Sequence, residues 1–258
     1  LGHTRLKVID LSESANQPIC NEDETIWIVF NGEIYNYREL RKDLLSKGCS
    51  FKTESDTEVI LRLYEHFGHP ALEQLNGMFA FAIYDKKNSQ LTIINNVKFF
   101  DNLKNVYIEG EKVIYNQLTD LIQTFGTTFF SIEDKYYVYS NDLFYDRKSE
   151  KIYSNKETII KDNKQNIFNL EDSFVFDINN KTISSDKTNI IDNNNNEYKY
   201  EKAKIDLKNN AIAGKELKVN FMDSYFGNPN NQPVLKGKGS TSDDNKTKIY
   251  KAAFTTCN

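Results

Sequence analysis

Cysteine, histidine and clustered basic residues are all scarce in this chain, and each scarcity removes a class of chemistry. The three cysteines, Cys20, Cys49 and Cys257, form no CxxC pair, which excludes the usual zinc-finger and thioredoxin patterns and leaves three independent thiols. The three histidines, His3, His66 and His69, all precede residue 70, so the sequence beyond them offers no histidine base for a serine or cysteine nucleophile. His66 and His69 make an H-x-x-H at the end of a predicted helix, but no further ligand is suggested nearby, and no metal is expected. A net charge of -4, a pI near 5.6 and the lack of a Lys/Arg cluster argue against a nucleic-acid surface. No apolar run reaches the ~18 residues of a transmembrane helix. The opening Leu1-Gly2-His3-Thr4-Arg5 shows neither an initiator Met nor a charged-then-apolar signal, so the true start is expected upstream.

What is present falls into two parts with different periodicities. Up to about residue 95 the pattern is α+β. Thr25 to Phe30 reads as a buried strand running into an Asn31-Gly32 turn signal. Asn36, with Glu39 three residues on, has capping-box spacing. The helix that follows places Tyr37, Leu40, Leu44 and Leu45 on one face and stops at Gly48. Ser55 or Asp56 caps a second helix with Val59, Ile60, Leu63 and Phe67 inward, ended by Gly68. Met78–Tyr84 and Leu91–Ile94 read as a hairpin joined through Asp85-Lys-Lys-Asn-Ser.

Beyond about residue 98 the helical period gives way to apolar/polar alternation, and the sequence repeats. Tyr115-Asn116, Tyr145-Asp146, Phe176-Asp177 and Ile205-Asp206 open similar turn-containing units, followed by Leu121, Ile152, Ile183 and Ile212. The period is about thirty residues, which suits stacked β units that bury their apolar faces against one another. Asn193–Asn196 reads as a turn between strands. The Gly-, Pro-, Asn- and Lys-rich segment from Gly227 onward predicts a loop or extended tail. The expected domains are residues 1–94, a junction at 95–98, an all-β domain at 99–226 and a tail at 227–258.

The candidate chemistry lies in the first part. Hydrolysis of an amide such as glutamine needs a nucleophile, donors for a tetrahedral oxyanion, and charged groups to hold the amino-acid end. Asn31 and the Gly32 N–H suit the oxyanion, Glu33 and Asp56 an ammonium, and Arg5 a carboxylate through a bidentate contact. Singly, an Asn-Gly is also a turn, Asp56 also a helix cap and Arg5 also a surface residue. Their joint wording is more specific. Gly2-His3-Thr4-Arg5-Leu6-Lys7-Val8-Ile9-Asp10-Leu11, then Asn31-Gly32-Glu33-Ile34-Tyr35-Asn36-Tyr37, Ser55-Asp56-Thr57-Glu58-Val59 and Asn76-Gly77-Met78-Phe79-Ala80-Phe81-Ala82 resemble the glutaminase domain of glutamine-dependent asparagine synthetases, class II glutamine amidotransferases. The resemblance covers residues 1–94. It implies an αββα fold of the N-terminal-nucleophile type and glutamine as ligand. It also implies carboxylate binding at Arg5 and the Val8 backbone, an oxyanion hole at Asn31 and Gly32, and amino-group binding at Glu33 and Asp56. Ammonia would pass to a separate domain that uses ATP and Mg; no cofactor is implied for these residues.

The family's N-terminal cysteine is not in this sequence, and Cys20 and Cys49, being internal, carry no free α-amino group to act as base. No amide hydrolysis is therefore expected. Residues 99–258 resemble a second family, the OstA-like periplasmic domain of the lipopolysaccharide-assembly protein LptD. The matching passages are Asp142-Leu-Phe-Tyr-Asp146, Ile205-Asp-Leu207, Asp223-Ser-Tyr-Phe-Gly-Asn228 and the ending Lys248 to Asn258. That resemblance implies a β-jellyroll groove for lipopolysaccharide acyl chains, bridge proteins as partners, and a disulfide role for Cys257 with a cysteine outside this chain. The first resemblance implies the cytoplasm and the second the periplasm or outer membrane. These demands conflict, and the sequence reads as two gene fragments joined near residues 94–99, the alternative being an outer-membrane assembly domain with a non-functional N-terminal extension.

Overall fold

The computed structural model describes residues 13–221, 233–243 and 246–255; Arg5, Val8 and Cys257 lie outside the described residues. The chain divides into two compact units, residues 1–97 with 111–120 and residues 98–110 with 121–258. Antiparallel strands dominate, with two α-helices among the described residues. No helix among them is long and apolar enough to cross a membrane.

In unit 1 the short strand β1 (Ile19–Cys20) pairs with β2 (Ile26–Ile34), setting Ile19 opposite Ile28. Helices α1 (Tyr37–Ser46) and α2 (Asp56–Phe67) follow, and β3 (Gly77–Asp85) returns antiparallel to β2 before β4 (Gln90–Asp101) pairs with β3. The β-branched and aromatic run Ile-Trp-Ile-Val-Phe suits a pleated, half-buried strand. Its inward residues Ile26, Ile28 and Phe30 join Ile34, Leu44, Val59, Ile60, Leu61 and Ile83 in one core. Burial of each such large side chain contributes about 1.5–3 kcal/mol. Ser55 starts α2 by accepting the Thr57 N–H on its Oγ at 3.2 Å, and Gly68, at φ 67°, ends it. Among the described residues, unit 1 thus supplies helices packed on one antiparallel sheet. A second sheet and a second helical layer, which an αββα arrangement requires, are not among them.

Four local expectations change, one of them at Phe67, which is expected inward but is 45% exposed at the end of α2. The sequence places a turn at Asn31-Gly32, but β2 continues to Ile34, with Gly32 opposite Phe79 and Ile34 opposite Gly77. Asn36 does occupy the N-cap position of α1, yet makes no side-chain cap bond. Its Nδ2 donates to the Gln74 carbonyl (2.9 Å) and its Oδ1 accepts the Asn76 N–H (3.0 Å), so a long-range bridge uses the amide that local spacing reserves for the helix. Leu45 is 52% exposed, because it lies about 100° around the helix from Leu44, which is inward.

Unit 2 is built from hairpins. In chain order the strands are β5 (Val106–Asn116), β6 (Leu121–Ile132), β7 (Tyr136–Asn141), β8 (Phe144–Asp146), β9 (Lys151–Ser154), β10 (Thr158–Asp162) and β11 (Ile167–Leu170). They continue with β12 (Phe174–Asp177), β13 (Thr182–Ile191), β14 (Glu197–Asp206), β15 (Ala211–Asn220), β16 (Val234–Ser242), β17 (Thr247–Tyr250) and β18 (Ala253–Thr255). The division between units falls within β4 and β5. Long strands divide their pairing: β6 pairs with β8 through Leu121–Gln123 and with β7 through Thr127–Ile132, and β13 pairs with β12 through one half and β11 through the other. The inward faces meet in a core that includes Phe130, Tyr145, Ile152, Phe174, Phe176 and Ile183.

The repeat seen in sequence is a repeat of turns. At Asn116, Asp146 and Asp206 the side-chain oxygen accepts two backbone N–H groups of the following turn, and at Asp177 it accepts that of Asn180. The residue four positions after each, Asp120, Glu150, Lys181 and Asn210, has positive φ, a geometry that short polar-capped hairpin turns favour. The same turn occurs at Asp101 with Asn105 and, within unit 1, at Asp85 with Ser89. The repeat's turn chemistry therefore begins before the expected junction at 95–98. Residues 234–255, expected as a tail, form β16, β17 and β18 on the free side of β15. Glycine misleads there: a Cβ on Gly237 would stand 2.3 Å from Ile249 Cγ2, and one on Gly214 2.2 Å from the Tyr200 ring. These glycines make room for neighbours and do not mark turns.

Candidate functional site

Asn31, Gly32 and Glu33 form the solvent-facing stretch of β2, between buried Phe30 and Ile34. Gly32 has φ +133°, and a Cβ there would stand 2.1 Å from the Met78 carbonyl oxygen. Gly77 meets the same limit from β3, where a Cβ would stand 2.1 Å from the Glu33 carbonyl oxygen. Two glycines thus let the strands approach where any side chain would part them.

Helix α2 carries Asp56 to the end of this stretch. Its Oδ2 accepts the Ile34 N–H at 3.2 Å, and the residue is 4% exposed. Burial pushes the Asp56 pKa above the ordinary carboxylate value; hydrogen bonds from the Ile34 and Thr57 backbones oppose this, and the negative charge of Glu33 reinforces it. A buried carboxylate whose charge is disfavoured, with an exposed carboxylate adding to that disfavour, suits a cation. Of the predicted site residues, the structure brings Asn31, Gly32, Glu33 and Asp56 to one end of β2. Arg5, Val8 and Cys257 lie outside the described residues.

Behind Asp56 is a network that sequence reasoning missed. Glu58, 2% exposed, accepts the Thr53 N–H at 2.7 Å, the Thr53 hydroxyl at 2.8 Å and the Lys52 N–H at 2.9 Å, and pairs with Arg62 at 3.3 Å. Arg62 pairs in turn with Glu65 at 2.8 Å. An acid followed by Arg four residues on, on either side of the apolar run Val59-Ile60-Leu61, is the signal that could have revealed it.

Cys49 is 7% exposed and burial pushes its thiol pKa up, which disfavours the reactive thiolate. His69 packs edge-on against Tyr64, shares a 3.4 Å contact with Gln90 and has its pKa lowered by burial. Among the described residues no group of three or more His, Cys, Asp or Glu converges as metal ligands.

Comparison with known proteins gives this geometry a class. Residues 1–97 match the glutamine amidotransferase domain family. Asparagine synthetase [glutamine-hydrolyzing] 1 of Bacillus subtilis is 53% identical over 90 residues, 35% of this chain and 14% of that protein. Putative asparagine synthetase [glutamine-hydrolyzing] 1 of Methanocaldococcus jannaschii is 53% identical over 89 residues, 34% of this chain and 15% of that one. A solved glutamine phosphoribosylpyrophosphate amidotransferase from B. subtilis is 21% identical, covering 45% of this chain and 32% of its own, at a TM-score of 0.37. Residues 1–97 are thus similar to a class II glutamine amidotransferase domain like that of asparagine synthetase. The chain spans about one-seventh of the length of these curated relatives. Nothing in the comparisons supports a lipopolysaccharide-assembly domain over residues 99–258.

The raised pKa of Asp56 has a consequence for stability. An acid whose folded pKa lies above its unfolded value binds its proton more tightly when folded, so stability falls as pH rises from about 3.9 through the folded value. Asp56→Asn is expected to be more stable than the unaltered chain at pH 7, with the gain disappearing below pH ~3.5, where Asp56 is protonated in both states. Urea midpoints of the unit 1 transition at pH 3 and pH 7 check this, and a variant no more stable at pH 7 would show that the buried charge is held without cost.

Proposed function

We propose that this end of β2 binds L-glutamine and is built to stabilise the oxyanion formed when its side-chain amide is attacked. Glu33 and Asp56 hold the α-ammonium. Arg5 and the backbone near Val8 hold the α-carboxylate. The amide oxygen faces the Asn31 carboxamide and the Gly32 N–H, donors suited to the negative charge that develops there. The observation that carries this reading is the joining of the two carboxylates to the Asn31–Glu33 stretch through the Ile34 to Asp56 hydrogen bond. The nucleophile that the family's chemistry requires is an N-terminal cysteine, and the ATP- and Mg-dependent use of ammonia lies in a part of the relatives that these residues do not match. The role proposed for this chain is binding and oxyanion stabilisation. Titration of the full chain with L-glutamine, followed by amide shifts of residues 31–34, is expected to saturate. Glu33→Gln should weaken binding roughly tenfold or more, the worth of a charge-assisted hydrogen bond. Unchanged affinity, or equal binding of D-glutamine, would contradict the assignment.

A separate observation favours a second reading for unit 2. Its strands line a half-open cavity of about 600 Å³, with Phe168, Ile190, Leu217 and Val219 beside the polar Asp162, Lys164, Asp192 and Asp206, within the ~300–1,000 Å³ of ligand pockets. Inward faces that packed fully would leave no such space. The occupant proposed is an acyl chain of lipopolysaccharide. Photo-crosslinkers at Ile190 or Leu217 are expected to capture lipopolysaccharide well above crosslinkers at the exposed Lys199 or Lys218; equal capture at inward and outward positions would count against it.

A further inference from the structure

Gln17 lies just beyond the start of the β1–β2 ladder. The register that sets Ile19 opposite Ile28 would bring position 17 opposite Phe30, but the main-chain pairing of β1 begins only at Ile19. The Gln17 side chain substitutes for backbone: Nε2 donates to the Phe30 carbonyl at 2.9 Å, and Oε1 accepts the Phe30 N–H. A carboxamide has a second N–H, and Nε2 also reaches the Thr57 hydroxyl at 3.5 Å. These partners flank the candidate site on both elements. Phe30 precedes Asn31, and Thr57 follows Asp56; the two partners are 4% and 2% exposed. At the other end of the stretch Ile34 is tied to Asp56. The exposed residues Asn31, Gly32 and Glu33 are therefore held at both ends by side-chain hydrogen bonds from other segments of the chain.

The geometry assigns Gln17 as a positioning residue: its carboxamide fixes the Asn31–Gly32 donor pair relative to Asp56 without touching the substrate. This rests on the glutamine reading above. Oxyanion donors act only when placed to within a fraction of an ångström, and a misplacement of about 1 Å can cost on the order of a hundredfold in rate. The chemistry also demands glutamine at this position. An ionised Glu could accept the Phe30 N–H but has no proton for the Phe30 carbonyl, and Asn is one methylene shorter.

The test compares the full-length chain with Gln17→Ala, Gln17→Glu and, as a stability-matched control, Tyr64→Phe, which removes the hydroxyl bond to Asp85 (3.2 Å). Two readouts are taken on each: L-glutamine affinity and the hydrogen-exchange rate of the Ile34 amide, which Gln17 does not contact. Both Gln17 variants are expected to lose affinity about tenfold or more, and to speed Ile34 exchange about tenfold or more relative to Tyr64→Phe at equal loss of Tm. Glutamine binding and Ile34 exchange that follow Tm alike in all variants would overturn the role, as would Gln17 variants that match the unaltered chain. If the unaltered chain does not bind glutamine, the pocket reading fails. Exchange at Ile34 then decides the positioning on its own: faster only in the Gln17 variants upholds it, and unchanged overturns it.

Discussion

The close approach of β2 and β3 at Gly32 and Gly77 is the constraint on which unit 1 depends. A Cβ at either glycine would stand 2.1 Å from a carbonyl oxygen of the opposite strand, far inside van der Waals contact. Because both positions are bare, β2 stays paired through Ile34 while Asn31, Gly32 and Glu33 face solvent. A side chain at position 32 would separate the strands and move the donor pair with them. The strand that builds the sheet is thus also the strand that presents the site.

Around this approach, the two buried acids of α2 are bound to partners. Asp56 accepts from Ile34, and Glu58 accepts from Lys52 and Thr53 while pairing with Arg62. Removing one partner of such a buried ion pair costs about 3–5 kcal/mol, because the other charge is left uncompensated. The two acids differ in kind. Glu58 is satisfied by the protein itself, whereas burial holds the Asp56 charge at a disadvantage that a bound cation would relieve. A buried charge that costs stability is the pattern expected of a binding group.

Much of this was legible in residues and little of it in their neighbours. The candidate site residues Asn31, Gly32, Glu33 and Asp56 stand out in the sequence because their joint wording is specific, and the turns at Asn116, Asp146, Asp177 and Asp206 because their chemistry is local to a few residues. Long-range partners were not legible. Asn36 bridges to Gln74 and Asn76 in place of capping its helix, and Gln17 replaces a main-chain bond thirteen residues away. Gly214 and Gly237 mark packing against Tyr200 and Ile249, which no local signal separates from a turn. For the same reason β16 was hidden in a segment whose composition resembles a loop.

In the glutamine-binding role proposed for unit 1, the glycine-permitted approach of β2 to β3 creates the site. This is tested most directly by titrating L-glutamine into the full chain and into Gly32→Ala, reading the amides of residues 30–34 together with those of unit 2 as an internal report of folding. The account predicts saturable shifts in the unaltered chain, and their loss in Gly32→Ala while the unit 2 amides keep their positions. A Gly32→Ala chain that keeps native β2 shifts and binds L-glutamine unchanged would contradict it.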